Sequence, residues 1–146
     1  MSEQQANNLE FNINHLYVLD VSCEVIKPMH KLAKWQPDAK ISRECSHKLV
    51  DENEYEVVLK VKVDVTSDNT QALIVEIQQA GSFLLKNFTE KQIEHLLESY
   101  CPSILLPYAR QALSAQVIQA GFPPLFLPPV DFESEFLNKK SADKVS

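Results

Sequence analysis

With only two glycines among 146 residues, the chain has almost no material for the Gly-rich loops that cradle phosphates. It also lacks a Gly-x-Ser-x-Gly elbow and a His-Glu-x-x-His helix, which removes two common hydrolase and metalloprotease arrangements. Basic side chains are in deficit, 14 Lys and Arg against 20 Asp and Glu, for a net charge of −6. Neutralising a phosphate backbone needs the opposite balance, so nucleic acid is not an expected partner. No apolar run approaches the roughly 18 residues of a membrane span, and residues 1–8 carry neither the basic start nor the apolar stretch of a secretory signal. The expectation is a soluble, cytoplasmic protein without direct membrane insertion.

Cysteine is equally scarce. Cys23, Cys45 and Cys101 are odd in number and far apart, so they form neither a disulfide framework nor a zinc ribbon and read as reduced, mostly buried thiols. Cys45-Ser46-His47 is the nearest approach to a ligand cluster, with His15, His30 and His95 scattered elsewhere. No metal or cofactor is expected from so thin a set. Cys101 lacks a partner base in the sequence, and a structural thiol outweighs a nucleophile there.

What the chain does have is alternation. The odd positions from Leu9 to Val25 are largely apolar, which predicts one long strand, with or without a bulge. Leu16 and Val18 break the polar register of the even positions, so the strand's middle is expected to be covered on both faces. Residues 26–37, with two prolines and the lone Trp35, form an irregular connection of a length that is often functional. Residues 38–49 alternate weakly as a second strand. Tyr55, Val57, Leu59, Val61, Val63 and Val65 face away from Glu56, Lys60, Lys62 and Asp64 in the cleanest pattern of the chain. Ser67-Asp68-Asn69-Thr70 is turn chemistry. It returns the chain into residues 72–80, a strand with apolar residues on both faces that Gly81 is expected to end and that suggests a subunit interface.

The period then changes. Thr89 and Gln92 make a capping-box pattern ahead of Ile93, Leu96, Leu97 and Tyr100. Pro102 and Pro107 are read as punctuation, followed by a second helix from Tyr108 to Ala120 that stops at Gly121. Residues 122–130, with four prolines, are expected to be stiff and extended. Asp131 can cap a last helix carrying Phe132, Phe136 and Leu137, with residues 139–146 frayed. Strands followed by helices predict an α+β domain, a four-stranded antiparallel sheet with C-terminal helices packed on one face. Glu24 and Glu76 lie among apolar strand neighbours, either as protection against edge pairing or as part of a site.

The segments Tyr100-Cys101-Pro102-Ser103-Ile104-Leu105-Leu106-Pro107-Tyr108-Ala109-Arg110 and Gly121-Phe122-Pro123-Pro124-Leu125-Phe126-Leu127-Pro128-Pro129-Val130 closely resemble the SecB family of protein-export chaperones. The resemblance extends through residues 55–61 and 75–81, more loosely through 11–24, and covers most of residues 9–137. It implies one domain over residues 1–146 with flexible termini, assembled as a dimer of dimers. It implies binding of unfolded precursor proteins in surface grooves and handover to the translocation ATPase SecA, with no cofactor and no reaction. Trp35, Ile41, Tyr108, Phe122, Leu125 and Phe126 are the expected client-binding residues. Asp20, Glu24, Ile74 and Glu76 match positions that face SecA, and Val75, Ile77 and Gln79 match positions tied to tetramer assembly. The mixed-charge stretch at 139–144 departs from the family's acidic tail, and the crossover around residues 30–34 is less typical. Two other readings stay open at this point: a SecB-like chaperone dedicated to one client, such as an antitoxin or effector, and an enzyme using Cys101 or a His-containing pocket.

Overall fold

The computed structural model describes residues 8–145. Strands β1 (Glu10–Val25), β2 (Pro37–Asp51), β3 (Glu54–Ser67) and β4 (Thr70–Lys86) precede helix α1 (Glu90–His95), a π-helical turn (Leu96–Tyr100), α2 (Cys101–Gln119) and α3 (Phe132–Val145). All neighbouring strands are antiparallel, in the order β1-β4-β3-β2. The first two strands of the chain are therefore the two edges, about 14 Å apart across three inter-strand spacings. This is why residues 26–36 are so long: they cross the end of the sheet with a single 3-10 turn (Met29–Lys31). The buried Ser67 hydroxyl pins that crossing, donating to the Lys34 carbonyl at 2.5 Å and accepting from the Gln36 N–H at 2.8 Å. The β3–β4 turn has both central residues left-handed, Asp68 at φ 50 and Asn69 at φ 63, the backbone that suits a two-residue hairpin and short polar side chains.

One face of the two central strands makes the core. Val57, Leu59, Val61, Val63 and Val65 of β3 stand in register with Gly81, Gln79, Ile77, Val75 and Leu73 of β4, all of them buried. Leu105, Ala109, Leu113 and Val117, each one helical turn beyond the last, lay α2 over them. Fully burying an aliphatic side chain of this kind is worth about 1.5–3 kcal/mol. The stretch from residue 90 to 119 is one continuous helical run, not two helices separated at the prolines. Pro102 enters at the start of α2, where the preceding turn has widened so that the Cys101 N–H bonds to the Leu96 carbonyl five residues back. Pro107 removes only one further donor. The helix closes at Gly121 (φ +87) in a Schellman arrangement, with Gly121 N–H on the Ile118 carbonyl and Phe122 N–H on Val117.

Three further expectations are corrected. Strand β4 does not end at Gly81 but runs on to Lys86; the glycine is there because the Phe83 ring folds back over it. In β1, register shifts fall between Ile13 and His15 and between Val18 and Asp20. Each extra residue reverses the side-chain parity, so Phe11 and Ile13, then Leu16 and Val18, then Val21, Cys23 and Val25 all point to the helix side. Leu16 and Val18 thus belong to the same face as their apolar neighbours, and among the described residues no element covers a second face. Residues 139–145 continue α3 as helix, held by Lys139 on Glu98 at 3.1 Å and Lys140 on Glu94. Residues 1–7 and 146, to which flexible ends were assigned, lie outside the described residues.

Candidate functional site

Because α2 rests mainly on β4 and β3, the helix-side faces of both edge strands stay open. Ile13, Val18, Val21 and Val25 on β1 and Ile41 and Leu49 on β2 are exposed. Cys23 and Cys45 share these strips and are exposed too, while Cys101 is buried. Burial pushes the Cys101 thiol up to about 12, with Cys45 adding to the shift, so it holds its proton and is a poor nucleophile at neutral pH. Among the described residues no group of three His, Cys, Asp or Glu side chains converges on a metal position.

A cavity of about 670 Å³ lies where the start of β1, the α1 and π turns, and the residues leading into α3 meet. Its apolar wall is Phe11, Phe88, Leu96, Tyr100, Val130 and Phe132. Each is placed by a local device. Phe88 precedes the N-cap Thr89, whose hydroxyl accepts from the Gln92 N–H while the Gln92 side chain accepts from the Thr89 N–H; Phe88 is thereby positioned as a hydrophobic staple residue. Tyr100 is carried by the π turn and meets Phe11 edge-on at 5.1 Å, and Phe11 in turn meets Phe83 at 5.9 Å. A second cavity of about 410 Å³ runs between Ile41 and Arg43 of β2 and residues 127–131, sharing Val130 and Asp131 with the first. Such aromatic-lined, partly open space can accept apolar side chains of an extended chain without sequence-specific contacts.

The expected client-binding residues divide. Ile41 lines the second cavity. Tyr108 and Phe126 are exposed, Phe126 at 80%, and Leu125 is half-buried, but none of the three lines either cavity. Phe122 is buried, at 4% exposure, and packs at 5.6 Å from the ring of Trp35, the two closing the crossover onto the end of α2. The aromatic wall of the main cavity was not singled out. Phe88 before the capping box was the available signal; Phe11 could not be placed because the sequence does not say what lies over β1.

On the opposite, uncovered face of the sheet, Asp20, Glu24, Ile74 and Glu76 come together. Glu24 pairs with Ile74, Ser22 with Glu76, and Asp20 with Gln78, so the four occupy one patch of β1 and β4. Lys60 bridges to Glu76 at 3.3 Å from the β3 side, whereas Asp20 and Glu24 have no ion pair among the described residues. Val75, Ile77 and Gln79 are placed elsewhere: they are buried in the protomer beneath α2, Gln79 at 3% exposure. The Gln79 side-chain N–H donates to the Tyr17 carbonyl at 3.1 Å, and its oxygen has no partner among the described residues.

Comparison with known proteins agrees with this architecture. Residues 3–143 match the model of the SecB family, described as preprotein translocase subunit SecB. The protein-export protein SecB of Legionella pneumophila (strain Corby) is 38% identical over 139 residues, spanning 94% of this chain and 86% of the relative. That of Acinetobacter baylyi is 37% identical over 136 residues, 93% of this chain and 90% of the relative. Among solved structures, a SecB-like chaperone of Mycobacterium tuberculosis in complex with a peptide from the HigA1 antitoxin superposes with a TM-score of 0.69 at 14% identity, covering 82% of this chain and 90% of that one. The chain belongs to the SecB family of protein-export chaperones.

Proposed function

We propose that this member of the family is a holdase that keeps unfolded precursor proteins soluble in the cytoplasm and passes them to SecA. The observation that carries the reading is the aromatic-walled cavity of about 670 Å³, which shares Val130 and Asp131 with the groove along β2. An apolar segment laid there gains about 25 cal/mol for each Å² it removes from water. Cavity walls made of Phe11, Phe88 and Tyr100 reward any aromatic or aliphatic side chain that fits. Ile41 and the exposed Phe126 and Tyr108 extend the contact beyond the cavity, and Trp35 holds the crossover against the core. The reaction coordinate is binding and release, with no cofactor and no bond made or broken.

Asp20, Glu24, Ile74 and Glu76 supply an anionic, partly apolar patch on the other side of the sheet, suited to steer a basic surface of SecA without competing with a held client. Assembly into a dimer of dimers would extend the apolar strips from one protomer to the next. Val75, Ile77 and Gln79 can act on it only through α2, which they support. Light scattering coupled to size-exclusion chromatography, on the protein alone and with an unfolded, reduced precursor, tests the reading. A tetramer that carries the precursor in a soluble complex is expected; a monomer that leaves it to aggregate would overturn it. A pull-down from cells dominated by a single client would instead favour a dedicated chaperone.

A further inference from the structure

Three cavities converge on the first turns of α3. Phe132 stands between the main cavity and a third one of about 520 Å³ under β2, the π turn and Phe136. Arg43 and Glu135 divide that third cavity from the groove along β2, and Val130 and Asp131 divide the groove from the main cavity. Apart from Arg43 of β2, the described residues shared between these cavities belong to α3 and the segment leading into it. Beneath the helix two of its side chains among the described residues, Phe132 and Phe136, are buried. Phe132 lines both the main and the third cavity, and Phe136 lines the third.

What holds α3 down is a polar rim. Arg43 grips Glu135 through two hydrogen bonds of 2.7 and 3.3 Å and lies 5.6 Å over the Phe132 ring. Lys139 reaches Glu98 at 3.1 Å, and Lys140 reaches Glu94 while lying 5.7 Å over Phe136. Glu133 takes His95 and, at 3.1 Å, the Ser99 hydroxyl. Exposed ion pairs of this kind are each worth a factor of roughly two in an equilibrium, enough to bias a cover but not to lock it. The tether is equally permissive. Residues 123–130 make no backbone hydrogen bond to other backbone among the described residues, and four of them are prolines that have no N–H to give.

We propose that α3 is a displaceable cover held by this rim of ion pairs, an internal stand-in for client that must lift before the three cavities open into one trough. The proposal rests on the holdase reading and names its regulation: loosening the rim strengthens client binding, because the client no longer competes with so firmly held an internal ligand. The alternative, that α3 is itself a fixed wall of the binding site, predicts the reverse sign.

The test compares wild type with the triple variant Arg43→Gln/Lys139→Gln/Lys140→Gln. A control of equal charge change, Lys40→Gln/Lys62→Gln/Lys86→Gln, alters exposed lysines outside the rim. The probes are fluorescently labelled, reduced and carboxymethylated α-lactalbumin, a permanently unfolded chain, and anilinonaphthalene sulfonate, which reports open apolar surface without any client. The rim variant is expected to bind the unfolded chain roughly eightfold tighter than wild type and control, from three factors of about two, and to raise dye fluorescence. Lys140→Glu alone should act in the same direction, and adding Glu94→Lys should restore wild-type affinity. Unchanged or weaker binding by the rim variant overturns the cover. If wild type does not retain the unfolded chain at all, the holdase reading fails, and the dye then decides the cover alone: no rise in fluorescence overturns it.

Discussion

A methyl group placed on Gly81 would sit 2.7 and 2.9 Å from Cε2 and Cζ of Phe83 and 3.1 Å from Cδ2 of Leu105. The first two distances cannot be tolerated, and Phe83 is a fully buried side chain, so its ring has nowhere free to turn. Leu105 belongs to α2, so relief by backbone movement would lift the helix from the sheet. Forcing a methyl into a packed core costs about 1–3 kcal/mol. Replacing a glycine returns about 0.4–1 kcal/mol by restricting the unfolded chain. Gly81→Ala should therefore lower protomer stability by about 1–2 kcal/mol. Urea denaturation followed by circular dichroism measures it, at one fixed protomer concentration because assembly adds to apparent stability. Phe83→Leu removes the clashing ring atoms at a cost of its own, about 1–2 kcal/mol for lost burial, and the double variant should be less destabilised than the sum by about 1 kcal/mol. A neutral or stabilising Gly81→Ala, or strict additivity with Phe83→Leu, would refute the account of this glycine as a seat for the ring.

Other expectations follow from the same contacts. The Tyr17 hydroxyl donates to the Glu56 carboxylate across β4, and that bond first, then burial and the charges of Glu56 and Glu54, pushes the phenol from 10.0 up to about 12. Because the folded value lies above the unfolded one, the stabilisation is whole below pH 10 and is lost as pH rises from 10 toward 12. An ultraviolet titration should show one late phenol that Tyr17→Phe abolishes, and a wild-type titration with no such phenol would refute it. Glu24→Lys/Glu76→Lys should weaken SecA binding on the order of tenfold at low salt, with the difference shrinking as salt is added, while retention of unfolded protein is unchanged; loss of both would mean the patch is structural. Val75→Phe should shift tetramers toward dimers and lower the unfolding midpoint together, since the added bulk can reach an interface only by moving α2. A tetramer that persists in a clearly destabilised protein, seen by light scattering, would break that link.

The sequence located β3, the β3–β4 turn, the capping box at Thr89 and the stop at Gly121 because each is a local device: period-two alternation, left-handed turn residues, a reciprocal side-chain cap, a glycine after the last helical turn. It misjudged β1 for a reason of the same kind. A bulge adds one residue and leaves no compositional mark, so Leu16 and Val18 look like a second apolar face when they are the first face shifted by one. Pro102 and Pro107 read as helix ends because a proline costs donors wherever it stands, yet a widened turn and a long packed face absorb the loss. Phe122 and Phe126 are indistinguishable in a Pro-rich segment; only the fold puts one against Trp35 and the other in solvent.

By itself, then, the order of residues determined the elements, the α+β class and the family, since these depend on neighbours in the chain and on motifs that survive as strings. Only the tertiary structure decided that Asp20, Glu24, Ile74 and Glu76 share one patch, that Val75, Ile77 and Gln79 are buried within the protomer, and that Phe11, Phe88, Tyr100 and Phe132 wall one cavity. Those groupings join residues tens of positions apart, and they depend on strand order, on two bulges and on how far a single helix reaches across a four-stranded sheet.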